Sequence, residues 1–266
     1  MAATRRVGSV RVGSDVLVYD DIAGPSSDRA VLLVHGSGGN RATWWPVLPS
    51  LIAEGWRVIN VDVRGSGRST DTVAQLGPRQ VAADLEAIRV DAGIERWHVV
   101  GHSMGGWHAL RYAVSHPGAT AGVTCVSSIG GVMTPEAIEW FAEFARMAAS
   151  WSASADPFAS QSLGEVWCAE HPGEAYLYQL LRELNPDPVR GVPGEDMAAN
   201  ALNEAEIAVL ASLDCHFITG EHDPYAPPAV VRSCADAAGA RFTEVAAAGH
   251  TVFWEVPDLL SRELRA

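Results

Sequence analysis

Val99-Val100-Gly101-His102-Ser103-Met104-Gly105-Gly106 is the stretch on which the reading of this chain turns. The apolar run from Trp97 to Val100 has the length and composition of a buried strand, and Trp107 to Ser115 reads as a helix. Between them stands Gly-x-Ser-x-Gly. A serine on so tight a strand-to-helix turn is lifted clear of the sheet, with its hydroxyl in the open. Glycine is needed at 101 and 105 because a side chain would clash where strand and helix cross. The helix N-terminus behind Ser103 supplies N–H groups and the positive end of the helix dipole, both suited to a developing oxyanion. The bare motif also occurs as an idle glycine-rich turn. Its place between a strand and a helix is what gives it weight.

Working outward, strands and helices alternate. Arg6 to Val12 and Val16 to Asp21 form a hairpin pattern around Gly13-Ser14-Asp15. Ala30–Val34, Arg57–Val61, Ala121–Val126, Cys215–Thr219 and Arg241–Val245 read as strands. Helices are predicted over Thr43–Glu54, with Thr43 as cap and Gly55 as stop, and over Pro78–Asp91, Ala229–Ala238 and Pro257–Arg265. This rhythm implies an α/β fold with a mostly parallel sheet and helices on both faces. It stops between Gly131 and Leu213, where helices over Pro135–Ser150, Ala175–Leu184 and Met197–Leu210 follow one another without a strand. The expected organisation is a core of residues 1–130 and 214–266, with 131–213 as an inserted helical cap, or lid.

Composition removes whole classes of function. Hydrophobic residues make up 48% of the 266, enough for a large core, and the net charge of −13 argues against nucleic acid and anionic membrane surfaces. All 19 basic residues are arginine, which excludes lysine Schiff bases, Ser-Lys dyads and the P-loop lysine. Most of the surplus negative charge falls in 131–213, whose arginines are Arg146, Arg182 and Arg190. That acidity disfavours strongly anionic substrates if it faces the entrance. Met1–Arg6 leads into Val7-Gly8-Ser9-Val10 rather than an apolar run, so no signal peptide is visible, and no apolar stretch is long enough to span a membrane. Cys125, Cys168, Cys215 and Cys234 are scattered, which points to free thiols and a cytoplasmic setting.

Serine needs a base, and the base needs an orienting acid. In a parallel sheet these groups belong on loops at the carboxyl ends of strands, where ligands bind. Ser103, Asp223 and His250 all follow predicted strands. His35-Gly36-Ser37-Gly38-Gly39-Asn40 is a glycine-rich loop after another. It lacks the GK[ST] of a phosphate loop and the GxGxxG of a dinucleotide site.

With these motifs, the sequence resembles the α/β-hydrolase superfamily over nearly its whole length. The matches are His35-Gly36, Asp62-x-Arg64-Gly65-x-Gly67-x-Ser69, Gly101-His102-Ser103-Met104-Gly105-Gly106, Gly220-x-x-Asp223, and Gly249-His250 followed by Glu255-x-Pro257. The resemblance implies an eight-stranded sheet with the cap inserted after the sixth strand. It implies Ser103 as nucleophile, His250 as general base and then acid, and Asp223 as the group that orients His250. The oxyanion hole would be the backbone N–H groups of Met104 and Ser37, with Gly38 as the alternative second donor. No cofactor and no metal are implied, and a His222–Asp223–His250 metal site lacks the usual ligand spacing.

The remaining candidates have duller readings. His102 is expected to pack or support rather than react, and His35 to brace the loop it precedes. Asp62 and Arg64 are expected to form a structural turn. Among the tryptophans, Trp44, Trp45 and Trp140 are candidate walls of an apolar substrate cavity together with Gly38, and Trp151 and Trp167 lie in the same cap. The expected function is a serine hydrolase, a monomer or homodimer, cleaving an ester or lactone of a hydrophobic small molecule. The alternatives are a carbon–carbon bond hydrolase of the ring-cleavage type, a cofactor-free haloperoxidase activity, and a hydrolase-fold receptor that turns over slowly.

Overall fold

In each central strand, alternate residues face opposite sides of the sheet, and here both sides are covered. Val31 and Leu33 of β3 (Arg29–Val34) pack into one apolar cluster and Leu32 and Val34 into another. Val99 and Val100 of β5 (Trp97–His102) divide in the same way. This is why these segments read as continuous apolar runs. The computed structural model describes residues 4–23, 29–71, 77–149, 161–185 and 199–264. The remaining strands are β1 (Thr4–Val12), β2 (Asp15–Ala23), β4 (Trp56–Val61), β6 (Thr120–Val126), β7 (Cys215–Gly220) and β8 (Arg241–Val245).

The eight strands form one sheet in the order β1-β2-β4-β3-β5-β6-β7-β8. The β1/β2 and β2/β4 pairs are antiparallel and the others parallel. From β3 the chain crosses to β4 on one side and later returns to β5 on the other. Loops after β3 and β5 therefore diverge, which opens a crevice at their carboxyl ends. His35–Asn40 and Ser103 stand at that crevice.

Helices cover both faces: α1 (Leu48–Ala53), α2 (Pro78–Asp91), α3 (Met104–Ser115), α4 (Pro135–Ala149), α5 (Glu165–Glu170), α6 (Pro172–Glu183), α7 (Glu204–Leu210), α8 (Pro228–Ala237), α9 (Val252–Glu255) and α10 (Leu259–Glu263). In α2, Val81, Leu85 and Ile88 are buried at helical spacing. Among the described residues no helix is long and apolar enough to cross a membrane. All four cysteines are free.

The differences from expectation have local causes. The helix expected over Thr43–Glu54 is a 3-10 turn over Arg41–Val47 that leads into α1, because Pro46 has no N–H to give an α-helical ladder. Its cap is Asn40, whose side chain accepts from the Ala42 N–H at 2.9 Å, and Thr43 completes the capping box. The closing helix expected over Pro257–Arg265 is α10, which starts two residues later, and α9 ahead of Pro257 was not expected. The helix expected from Met197 is α7, started by an Asn203/Glu206 capping box. Arg111 of α3 takes the Asn200 carbonyl ahead of it at 2.8 Å and ion-pairs with Glu206. Helix α5 was not expected. The Asp62–Ser69 segment is a structural turn: Arg64 is 2% exposed and bonds Asp84 and Asp15 at 2.7 Å, which ties the turn to α2 and β2.

Three buried histidines give the fold a pH dependence. His98 bonds the Thr124 hydroxyl and His216 that of Thr243. Both ring nitrogens of His108 lack a hydrogen-bond partner among the described residues. Burial pushes His98 and His216 down to about 4 and His108 to about 3. An unfolded histidine titrates near about 6.5. Below that value the unfolded chain binds more protons than the folded one, so stability rises with pH and is lost on acidification. Urea midpoints are expected to fall steadily from about pH 7 to about pH 4.5, and His108→Leu to flatten the slope by roughly one proton. Midpoints independent of pH over this range would contradict the assignment.

Candidate active site

Ser103 is the last residue before α3 and adopts φ 54°, ψ −120°, a positive φ that L-residues rarely take. Neighbouring backbone holds it there. Its N–H donates to the Val126 carbonyl at 2.9 Å, and its carbonyl accepts from Gly106 at 2.9 Å. A Cβ on Gly101 would run into the Gly105 carbonyl, and one on Gly105 into that of Val34. A Cβ on Gly36 would lie 2.9 Å from that of Ser103. The serine thus projects into the crevice because the backbone around it is packed at contact distance.

His250 and Asp223 are brought together from the loops after β8 and β7. His250 Nδ1 lies 2.9 Å from both carboxylate oxygens of Asp223. Asp223 also accepts from the N–H groups of Tyr225 and Ala226, at 2.8 and 2.9 Å, and Thr219 Oγ1 stands 3.1 Å away. The carboxylate is fully buried and needs these donors, since an unpaired buried charge is costly. With its proton on Nδ1, facing Asp223, the imidazole keeps its basic lone pair on Nε2. Ser103, His250 and Ser37 line one pocket.

The loop after β3 is fixed peptide by peptide. His35 Nε2 accepts from the Val63 N–H at 3.0 Å, so Nδ1 carries the proton and donates to the Gly36 carbonyl at 2.9 Å. Gly39 donates to the same carbonyl at 3.1 Å. A trans peptide is planar, so the Ser37 N–H points opposite to that carbonyl. His102 plays a comparable part below the pocket. Its Nε2 donates to the His250 carbonyl at 3.1 Å and its ring centre is 4.8 Å from that of His250. Burial pushes the pKa of His102 well down, which keeps the ring neutral beside His250.

The other candidates fall elsewhere. Trp44 is fully buried and stacks on Phe253 with centroids 4.1 Å apart, so it stands in the core behind the pocket. Trp45 is 43% exposed and meets Trp254 edge-on at the surface. Trp140 of α4 donates to the Tyr225 carbonyl at 3.2 Å, which makes it a support of the Asp223 loop. Gly38 has φ 69°, and its missing side chain leaves room for the Arg182 guanidinium. Met104 opens α3 next to Ser103. Trp151 lies outside the described residues, and Trp167 packs on His171.

Sequence reasoning passed over Tyr178 and Arg182, which reach the pocket from α6. The available signal was that Arg182 is one of the few basic residues in an acidic segment. It also gave no role to Glu255. Glu255 Oε1 accepts from the N–H groups of Gly249 and Gly164, at 2.9 and 3.1 Å, and so ties the His250 loop to the segment ahead of α5. Burial pushes this carboxyl upward, against the pull of the two donors. Glu255→Ala is expected to cost about 2–6 kcal/mol in urea unfolding, because each of the two stranded N–H groups costs about 1–3 kcal/mol. Glu255→Gln keeps an acceptor and should cost less. Equal losses would count against this role.

The comparisons with known proteins agree with this architecture. A family model described as alpha/beta hydrolase fold matches residues 29–257. Similar solved structures include a thermophilic esterase from Thermogutta terrifontis, with TM-score 0.76, 22% identity, and coverage of 98% of this chain and 97% of that one. Another is an enol-lactonase from Burkholderia xenovorans, with TM-score 0.74, 22% identity, and coverage of 97% and 98%. In sequence, the chain is 36% identical over 112 residues to the "Putative carbamate hydrolase RutD" of Variovorax paradoxus, covering 42% of each. The matched part is thus about two-fifths of that curated relative's length. On the family match, which spans most of its length, the chain belongs to the α/β-hydrolase fold family.

Proposed function

We propose that the chain is a serine hydrolase that cleaves a carboxylic ester or lactone through an acyl-enzyme. The observation that carries this reading is the His250–Asp223 hydrogen-bonded pair on the same pocket as the strained Ser103. Ser103 Oγ attacks the carbonyl carbon as its proton passes to His250 Nε2. The backbone N–H groups of Met104 and Ser37 receive the oxyanion, each contributing roughly 3–4 kcal/mol to the transition state. Collapse breaks the bond to the leaving group, which takes the proton from His250. A water then attacks the acyl carbon, giving its proton to His250, and the second collapse releases the acid and restores Ser103. Asp223 holds the imidazole in the required tautomer and stabilises its charged form.

Residues 131–213 act, in this reading, as the cap over a core of 1–130 and 214–266. Tyr178 and Arg182 support it, because both come from α6 in that segment and line the pocket. Free cysteines are consistent with a cytoplasmic setting. The tryptophans give the expected hydrophobic substrate less support, because Trp44 and Trp45 lie elsewhere, although the exposed wall of the pocket is more apolar than polar. A second reading, hydrolysis of a carbamate, is favoured by the curated relatives and would use the same steps on the carbamate carbonyl.

A fluorophosphonate probe tests the chemistry directly. Wild type is expected to be labelled once, at Ser103, and Ser103→Ala not at all while melting normally. Asp223→Asn should slow labelling by about 10⁴, because the wrong imidazole tautomer then faces the serine. A folded wild type that resists labelling would overturn the hydrolase reading in favour of a ligand-binding role.

A further inference from the structure

The loop that carries Ser37 is rich in glycine, and glycine leaves the backbone free to turn unless something outside it fixes each peptide. Both ends of the loop are tied to the turn after β4. His35 accepts from the Val63 N–H, and the Arg41 N–H donates to Asp62 at 2.9 Å. The middle of the loop is held from the end of α6. Arg182 Nη1 donates to the Ser37 carbonyl at 3.0 Å. Asn185, two residues past the helix, donates from Nδ2 to the carbonyls of Gly38 and Gly39, at 2.8 and 3.1 Å. Its Oδ1 accepts from the Gly67 N–H at 2.9 Å. Asn40 Nδ2 donates in return to the Leu181 carbonyl of α6 at 2.8 Å. Gly67 belongs to the Asp62–Ser69 turn that Arg64 anchors to α2 and β2, so Asn185 fastens the loop to a rigid part of the core.

These bonds run in a row towards the pocket of Ser103. Asn185 fixes the Gly38 carbonyl. The N–H of that same peptide, on Gly39, donates to the Gly36 carbonyl at 3.1 Å, and the Gly36 carbonyl shares its peptide with the Ser37 N–H. Trans peptides are planar, so holding the first carbonyl orients the second peptide through the hydrogen bond between them. Hydrogen bonds in a row also polarise one another, which makes the last N–H a better donor. We infer that Asn185 is a positioning residue for the reaction. Through two peptide units it aims and strengthens the Ser37 N–H at the oxyanion, so the oxyanion hole is complete only when the end of α6 is docked on the loop. The inference rests on Ser103 being the nucleophile. An amide is required at 185 because the loop presents carbonyl acceptors and Gly67 presents a donor, whereas a carboxylate can only accept.

The test follows fluorophosphonate labelling of the full chain, as wild type, Asn185→Ala and Asn185→Asp. Ser103 Oγ attacks phosphorus, its proton passes to His250, negative charge builds on the phosphoryl oxygen in the oxyanion hole, and fluoride leaves. Both variants are expected to label roughly ten- to hundredfold more slowly, a part of the 10²–10³ lost when an oxyanion donor is removed outright. The loss should lie in the limiting rate and not in the probe concentration that gives half of it, because the donor acts on the transition state. Asn185→Asp keeps the acceptor for Gly67, so labelling of this variant at the wild-type rate would overturn the inference and leave Asn185 a strut for the helix end. A loss confined to the half-saturating concentration would also overturn it. In parallel, deuterium exchange is followed in the peptide that contains His35–Asn40. Both variants should exchange these amides faster, by up to about tenfold, the worth of one hydrogen bond. Faster exchange with a wild type that resists labelling would support the hold of Asn185 on the loop, and only the hydrolase reading would fail. Unchanged exchange overturns the inference. Melting curves verify that each variant is folded, and either variant suffices if the other is not.

Discussion

Where β5 turns into α3, a methyl group on Gly101 would strike the Gly105 carbonyl, and one on Gly105 would strike that of Val34. This backbone contact sets the position of the reactive region. It brings the first turn of α3 against the end of β3, so that Gly36 meets Ser103 and the two loops at the switch point share one crevice. It also forces Ser103 into a positive φ, a local cost of about 1–3 kcal/mol that the packed sheet on both sides can bear. Relaxing that contact would move the serine, the Ser37 N–H and the start of α3 together, because each is fixed to the others by backbone atoms rather than by side chains.

The other half of the site depends on polar bonds, and its supports come from distant parts of the chain. The Asp223 loop is held by Thr219 below, by its own N–H groups, and by Trp140 of α4 above. The His250 loop is held by Glu255 behind it, by His102 beneath and by the Ser162 carbonyl, which accepts from Thr251 at 2.7 Å. Ser162, Gly164 and Trp140 all belong to the segment between β6 and β7. That segment completes the hydrogen bonding of the two loops that carry the histidine and the aspartate.

How far the sequence reveals all this depends on the range of the cause. Buried parallel strands are legible because burial on both faces demands apolar residues at every position, as in Val31–Val34 and Val99–Val100. The elbow is legible because only glycine tolerates its contacts. Helix ends are less so: Pro46 turned the first part of a predicted helix into a 3-10 turn although it was in view, and the last helix starts at Leu259 rather than at Pro257. The tryptophans misled for a general reason. A large aromatic side chain fills core space as readily as it lines a cavity, and Trp44 does the former against Phe253. Glu255 and Arg182 were illegible in a different way, since their partners, Gly164 and Ser37, lie far off in sequence and are backbone atoms.

Charge shows most clearly why composition and site differ. A net charge of −13 describes the far field of the chain, which salt screens over about 8–10 Å. Within the pocket the relevant distances are shorter and the surroundings drier, so the groups that line it count for more than exposed carboxylates do. Arg146, in the same acidic segment, pairs with Glu143 on the surface and has no such influence. Arg182, on α6, instead donates to the Ser37 carbonyl, and the end of that helix is fixed by Asn185 through the carbonyls of Gly38 and Gly39. Where this cation stands is thus decided by the register of one helix against one loop, a property of the fold that no sum over residues contains.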